Sequence, residues 1–142
     1  MGLQSKGLSS TSEDSPLTRH EQVAFDTNML LNIARFNVDV FQETKKMLGN
    51  VEFMIPKQVM QELDKLAEHG QSLRKEVNVA KMAIENNNVK IIEVKGMDAD
   101  EALEKMASEV IIATNDKELK DSVREMNGRV LYLRQKKFLE MA

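Results

Sequence analysis

Two apolar runs in this chain end on an aspartate. Val23-Ala24-Phe25 stops at Asp26-Thr27-Asn28, and Val110-Ile111-Ile112-Ala113 stops at Thr114-Asn115-Asp116. A carboxylate placed where a buried segment ends is costly unless something pairs with it. Two further stretches carry acids in comparable places. Glu62 lies one turn after Val59 in VMQELDKL, beside the inward stripe of Val59, Leu63 and Leu66. Asp98 and Asp100 open DADEAL, downstream of VKIIEV. Carboxylates gathered at one point repel and raise one another's pKa, a conflict that a divalent cation removes. Oxygen-only donors suit Mg²⁺ or Mn²⁺, and one or two such ions can activate water and stabilise the leaving oxygen of a phosphodiester.

For these acids to meet, the elements that carry them must end at the same edge. Short apolar runs at 23–25, 53–55, 89–94, 110–113 and 130–133 read as buried strands. Between them lie amphipathic helical stretches: one after Asn28, which can act as its cap; 38–48, closed by Gly49-Asn50; one opening at Pro56 with Val59, Met60, Leu63 and Leu66; one through Leu73, Val77, Ala80 and Ile84; 99–108; and 117–126. Apolar strands alternating with helices predict a three-layer α/β/α domain around a central parallel sheet of about five strands. Ligands of such sheets bind beyond the carboxyl ends of the strands, which is where Asp26, Glu62, Asp98 or Asp100, and Asp116 fall. The structured domain is expected over 22–142, ending in a basic tail. Residues 1–21, rich in Ser, Thr, Gly and charge, read as a flexible leader.

Composition narrows the chemistry. The 142 residues are most simply one domain. There is no cysteine, and the two histidines, His20 and His69, are too scattered for a nitrogen-ligand metal site. No apolar run approaches a membrane span and no signal peptide opens the chain, so a cytoplasmic protein without membrane contact is expected. The net charge of −3 argues against a general nucleic-acid coat. Its distribution is uneven: from Lys117 to Lys137 seven bases face three acids, an asymmetry that can steer a polyanion. Lys117, Lys120 and Arg124 recur at helical spacing and could meet phosphates, with Arg74 and Lys75 as candidates for an opposite wall. Aromatic residues make up only 4% of the chain, which gives few platforms for base stacking, and the ten methionines read as core filler.

VAFDTNMLL, VMQELDKL, DADEAL and VIIATNDKELK, in this order and at these separations, resemble a PIN domain from about residue 22 to about residue 135. GRVLYLRQKK is similar to the last strand of archaeal members, including those akin to ribosomal-RNA-processing endonucleases. The resemblance implies a Mg²⁺- or Mn²⁺-dependent endoribonuclease acting on single-stranded RNA in processing or decay. Its acids map to Asp26, Glu62, an aspartate before the EAL helix, and Asp116, with Asn28 and Thr114 as the small polar residues that support the site. Counting back from Asp116 without a gap favours Asp98 as the third acid; the apolar phase of the following helix favours Asp100. Both stay open.

Other readings stand beside this one. Asp26, Asp98, Asp100 and Asp116 could each cap a helix, and Glu62 could pair with Lys57 or Lys65 in solvent. The alternatives for the whole protein are a toxin nuclease with an antitoxin partner and a non-catalytic RNA-binding ribosome-assembly factor. A phosphotransfer domain of the dehalogenase type would need a second aspartate where Asn28 stands. Phe138 and Leu139, read as exposed, permit a homodimer.

Overall fold

The computed structural model describes residues 20–142. The leader expected over 1–21 lies outside them except for His20 and Glu21, and Glu21 already belongs to the first strand.

Among the described residues twelve elements follow in order: β1 (Glu21–Phe25), α1 (Thr27–Arg35), α2 (Val40–Leu48), β2 (Val51–Pro56), α3 (Lys57–Leu66), α4 (Gln71–Asn86), β3 (Lys90–Ile92), α5 (Ala99–Met106), β4 (Ile111–Ala113), α6 (Lys117–Glu125), β5 (Val130–Arg134) and β6 (Phe138–Met141). They build one six-stranded sheet in the order β3-β2-β1-β4-β5-β6. The five expected strands are all present and mutually parallel. In the two central ones every residue of Val23–Phe25 and of Ile111–Ala113 is fully buried. Successive strand residues point to opposite faces, so both faces of the sheet are covered, as an α/β/α sandwich requires. Phe25, Phe41 and Phe53 meet at the centre of the core, with ring centroids 4.8, 5.7 and 4.9 Å apart.

The order of strands sets the site. The chain steps outward from β1 through β2 to β3, then crosses back to β4 on the other side of β1 and continues to β5. The direction of winding therefore reverses between β1 and β4. At such a switch point the connections leave in opposite directions and open a crevice beyond the strand ends.

Four details differ from the sequence reading. The basic tail is a sixth strand: β6 runs antiparallel to β5, with Leu133 opposite Leu139 and Arg134 opposite Phe138. Leu139 is consequently buried, against the expectation that it is exposed, while Phe138 remains 56% exposed. Asn28 does not cap α1. It sits inside the helix, and Asp26 is the cap, its Oδ1 accepting the Met29 amide at 2.7 Å. Pro56 ends β2 and precedes α3 instead of opening it. Its pairing with Ile92 is the last between β2 and β3, so β3 covers 90–92 and not the whole of VKIIEV.

Candidate active site

β1 and β4 pair with Val23 beside Ile111 and Phe25 beside Ala113. One residue further on, Asp26 is level with Thr114, and the Asp26 amide still donates to the Ala113 carbonyl at 3.1 Å. This register explains the closest contact of the site: the Thr114 hydroxyl donates to Asp26 Oδ2. Thr114 Oγ1 in turn accepts the Asp116 amide at 2.9 Å. Asp116 lies two residues beyond the level of Asp26, exposed, where its Oδ1 accepts the Leu119 amide at 3.0 Å and caps α6. Both strand-end aspartates thus use one oxygen to hold the start of a helix. Capping and a role at the sheet edge are compatible, because each carboxylate has a second oxygen.

Asp26 is only 6% exposed. Burial pushes its carboxyl from the ordinary 3.8 up to about 6. The hydrogen bonds from Thr114 and the Met29 amide lower it, and the charges of Asp100 and Asp116 raise it further. Asp100 is also held above the ordinary range, first by the partial burial of its carboxyl and then by the charges of Asp116, Asp98, Glu62 and Glu104. Glu62 reaches the same edge from α3: its Oε1 accepts the Thr27 hydroxyl at 2.6 Å. Thr27, in the first turn of α1 beside Asp26, is a residue that the sequence reading passes over, although it is the central letter of the DTN motif.

The two aspartates of DADEAL have different surroundings. Asp98 Oδ1 accepts the Glu101 amide at 2.9 Å, and Glu101 Oε1 accepts the Met97 amide at 2.6 Å. The pair resembles a capping box, except that Glu101 reaches back to the amide one residue before the cap. Asp100 caps nothing and interacts electrostatically with Asp26, Asp116 and Glu62. Gly96 lets the preceding loop approach α5 closely. At φ +156° a Cβ there would lie 2.9 Å from the Ala102 nitrogen, and Gln58 Nε2 ties the loop down by donating to the Val94 and Gly96 carbonyls at 2.7 and 2.9 Å. Glu62, Asp98 and Asp100 border an open cavity of about 350 Å³ together with Gln61, Lys65 and Met97.

Among the described residues no three carboxylates are close enough, as they stand, to form a ready ligand shell. The donor set nevertheless suits a hard cation: it is all oxygen, it is short of positive charge, and burial and mutual repulsion already penalise its ionised form. Asn28 is exposed on the α1 turn that Asp26 caps. Of the basic candidates, Lys117 pairs with Asp121 at 3.3 Å, Lys120 sits 4.7 Å over the Tyr132 ring, and Arg124 is exposed on the same helix. Arg74 donates to the Ala67 carbonyl at 3.3 Å, and Lys75 is exposed beside it on α4. No contact brings Arg74 or Lys75 to the acids.

Comparisons with known proteins agree with this architecture. The family described as PIN like domain matches residues 23–136. Ribonuclease VapC4 of Methanocaldococcus jannaschii is 33% identical over 121 residues, which span 82% of this chain and 92% of that protein. The structure of the PIN domain endonuclease Utp24 superposes with a TM-score of 0.69 at 24% identity, covering 84% of this chain and 90% of that one. A domain of a functionally unknown protein from Methanocaldococcus jannaschii superposes with a TM-score of 0.58 at 19% identity, covering 80% and 91%. These two likenesses show a shared fold.

Proposed function

The chain belongs to the PIN-like domain family, and from that premise we propose that it is a Mg²⁺- or Mn²⁺-dependent endoribonuclease that cleaves single-stranded RNA. The observation that carries this reading is the electrostatic coupling of acids from four separate segments at the switch point of the sheet, with no cationic side chain bonded to Asp26 or Glu62. Such an arrangement costs stability and has no structural use that a neutral residue could not serve. The similarity to Ribonuclease VapC4 supports RNA as the substrate.

In this reading Asp26, Glu62, Asp100 and Asp116 hold one or two ions, and Asp98 is the helix cap. A bound ion supplies positive charge against the scissile phosphate and lowers the pKa of water. Thr114 orients Asp26, and Thr27 orients Glu62. Asn28, on the α1 turn next to Asp26, offers an amide to a phosphate oxygen. Lys117, Lys120 and Arg124 stand along one face of α6 for the phosphates that flank the cut. Water attacks phosphorus in line, the bond from phosphorus to the 3′ oxygen breaks, and the products are a 3′-hydroxyl and a 5′-phosphate. A protein partner such as an antitoxin is compatible with this activity. A non-catalytic role is disfavoured because every acid position is filled.

The test is Mn²⁺-dependent cleavage of single-stranded RNA by the purified chain. Cleavage that disappears with chelator and with Asp116→Asn supports the reading. A variant as fast as wild type would sink the site assignment.

A further inference from the structure

Asp116 also lines a second cleft, of about 320 Å³, between α1, the end of β4 and the β5–β6 hairpin. One wall is a stripe on α1. Asn28, Asn32 and Phe36 follow one another at intervals of four, so they share a face that runs roughly 12 Å away from Asp26. Asn32 is the informative residue. It is 92% buried, it lines the cleft, and its side-chain amide takes part in no hydrogen bond. The amide is not sealed in: among the described residues the one buried side-chain atom without a partner is Gln58 Oε1, so the Asn32 amide opens onto the cleft, free to meet a ligand or water. Phe36, 36% exposed, presents its ring, and Lys136 Nζ rests 5.1 Å from the ring centroid.

Lys136 reaches that position because of its turn. Gln135 and Lys136 adopt φ of +55° and +59°, an unfavourable conformation for residues with side chains. The cleft floor is fixed independently: Asn115 donates to the Leu133 carbonyl at 2.9 Å and accepts the Leu133 amide at 2.7 Å, which bolts the end of β4 to β5.

We propose that this cleft is a nucleotide subsite beside the acid edge, with the base stacked on Phe36, its polar edge on the Asn32 amide, and its phosphate on Lys136. An aromatic face, an unpaired neutral amide and a mobile cation make up the chemistry that receives one unit of a single strand, and Asp116 links the cleft to the acid edge. The cation now over the ring moves aside to the phosphate as the base takes its place. That the nucleotide belongs to an RNA substrate rests on the ribonuclease reading; that the cleft binds a nucleotide does not.

The chain contains no tryptophan, so Phe36→Trp installs a single reporter. Titration of that variant with adenosine and uridine 5′-monophosphate in Mg²⁺ is expected to quench its emission saturably. Adding Asn32→Ala or Lys136→Ala should weaken the apparent affinity about fivefold or more. Quenching that is not saturable, or that ignores both substitutions, overturns the proposal and leaves the cleft to a protein partner. Should Phe36→Trp not fold, the Asn32 side-chain amide signal in a ¹⁵N spectrum of the unaltered chain reports the same binding, and its failure to shift overturns the proposal equally. Cleavage of RNA by the wild-type chain is scored separately. Quenching without any cleavage would retain the subsite and refute the nuclease.

Discussion

VAFDTN and IIATND look alike in sequence and cap their helices in the same way, yet Asp26 and Asp116 stand in different environments. The cause is register. Asp26 follows directly on the paired residue Phe25 and is enclosed between β2 and β4, whereas Asp116 is separated by two residues from the end of β4 and projects into solvent. Asp26 therefore carries the desolvation cost, and Thr114, the residue level with it, carries the compensating hydrogen bond. The same local motif supplies a buried anchor on one strand and an exposed arm on the next. In the proposed cation site the first would be the fixed ligand and the second one that can close on the ion.

The largest expected effect abolishes the comparison. Asp26→Asn and Asp116→Asn should each lower Mn²⁺-dependent cleavage by about 100-fold or more, because each removes a charged ligand. Initial rates on a labelled single strand measure it, and a loss confined to one of the two would show that the strand ends are not equivalent partners.

Stability should separate them. The carboxyl of Asp26 binds its proton more tightly folded than unfolded, about 6 against 3.8. Its favourable contribution is therefore complete below pH 3.8 and is lost as pH rises through 6, a change of about 3 kcal/mol. In metal-free protein, Asp26→Asn is expected to be more stable than wild type at pH 7.5, with the advantage fading below pH 4. Urea unfolding at the two pH values checks this, and Asp116→Asn, which relieves only the repulsion it exerts on Asp26 and Asp100, should show a smaller gain.

Smaller effects refine the picture. Thr114→Val removes a hydrogen bond that lowers the Asp26 pKa and leaves the Asp116 amide without its acceptor. Activity should fall about tenfold, and the acidic limb of the pH–rate profile should move upward. The smallest effect is expected at Asp98. Asparagine caps a helix about as well as aspartate, so Asp98→Asn should stay within about twofold of wild type while Asp100→Asn loses most activity. The reverse ranking would return Asp98 to the site.

How far the sequence could be read follows the same physics. The five parallel strands and the acids at their ends were legible because runs such as Val23–Phe25 and Ile111–Ala113 are buried on both faces and read as unbroken apolar segments. The sixth strand was not. Its turn places Gln135 and Lys136 at positive φ without the glycine or asparagine that usually marks such a turn. The third acid was ambiguous because Asp98 and Asp100 both stand at a helix start, and only their partners, Glu101 for one and the other acids for the other, tell them apart. The cleft of Asn32, Phe36 and Lys136 joins residues about a hundred positions apart, and no local pattern marks it.

The central claim is that the buried anchor and the exposed arms converge on one cation. Anomalous diffraction from a crystal soaked in Mn²⁺ tests it most directly. The account predicts a peak bonded to carboxylate oxygens of Asp26 and Asp116, with Glu62 or Asp100 completing the set and Asp98 still on the Glu101 amide. A crystal that shows no peak at this edge, or an ion held by Asp98 away from Asp26, would contradict it.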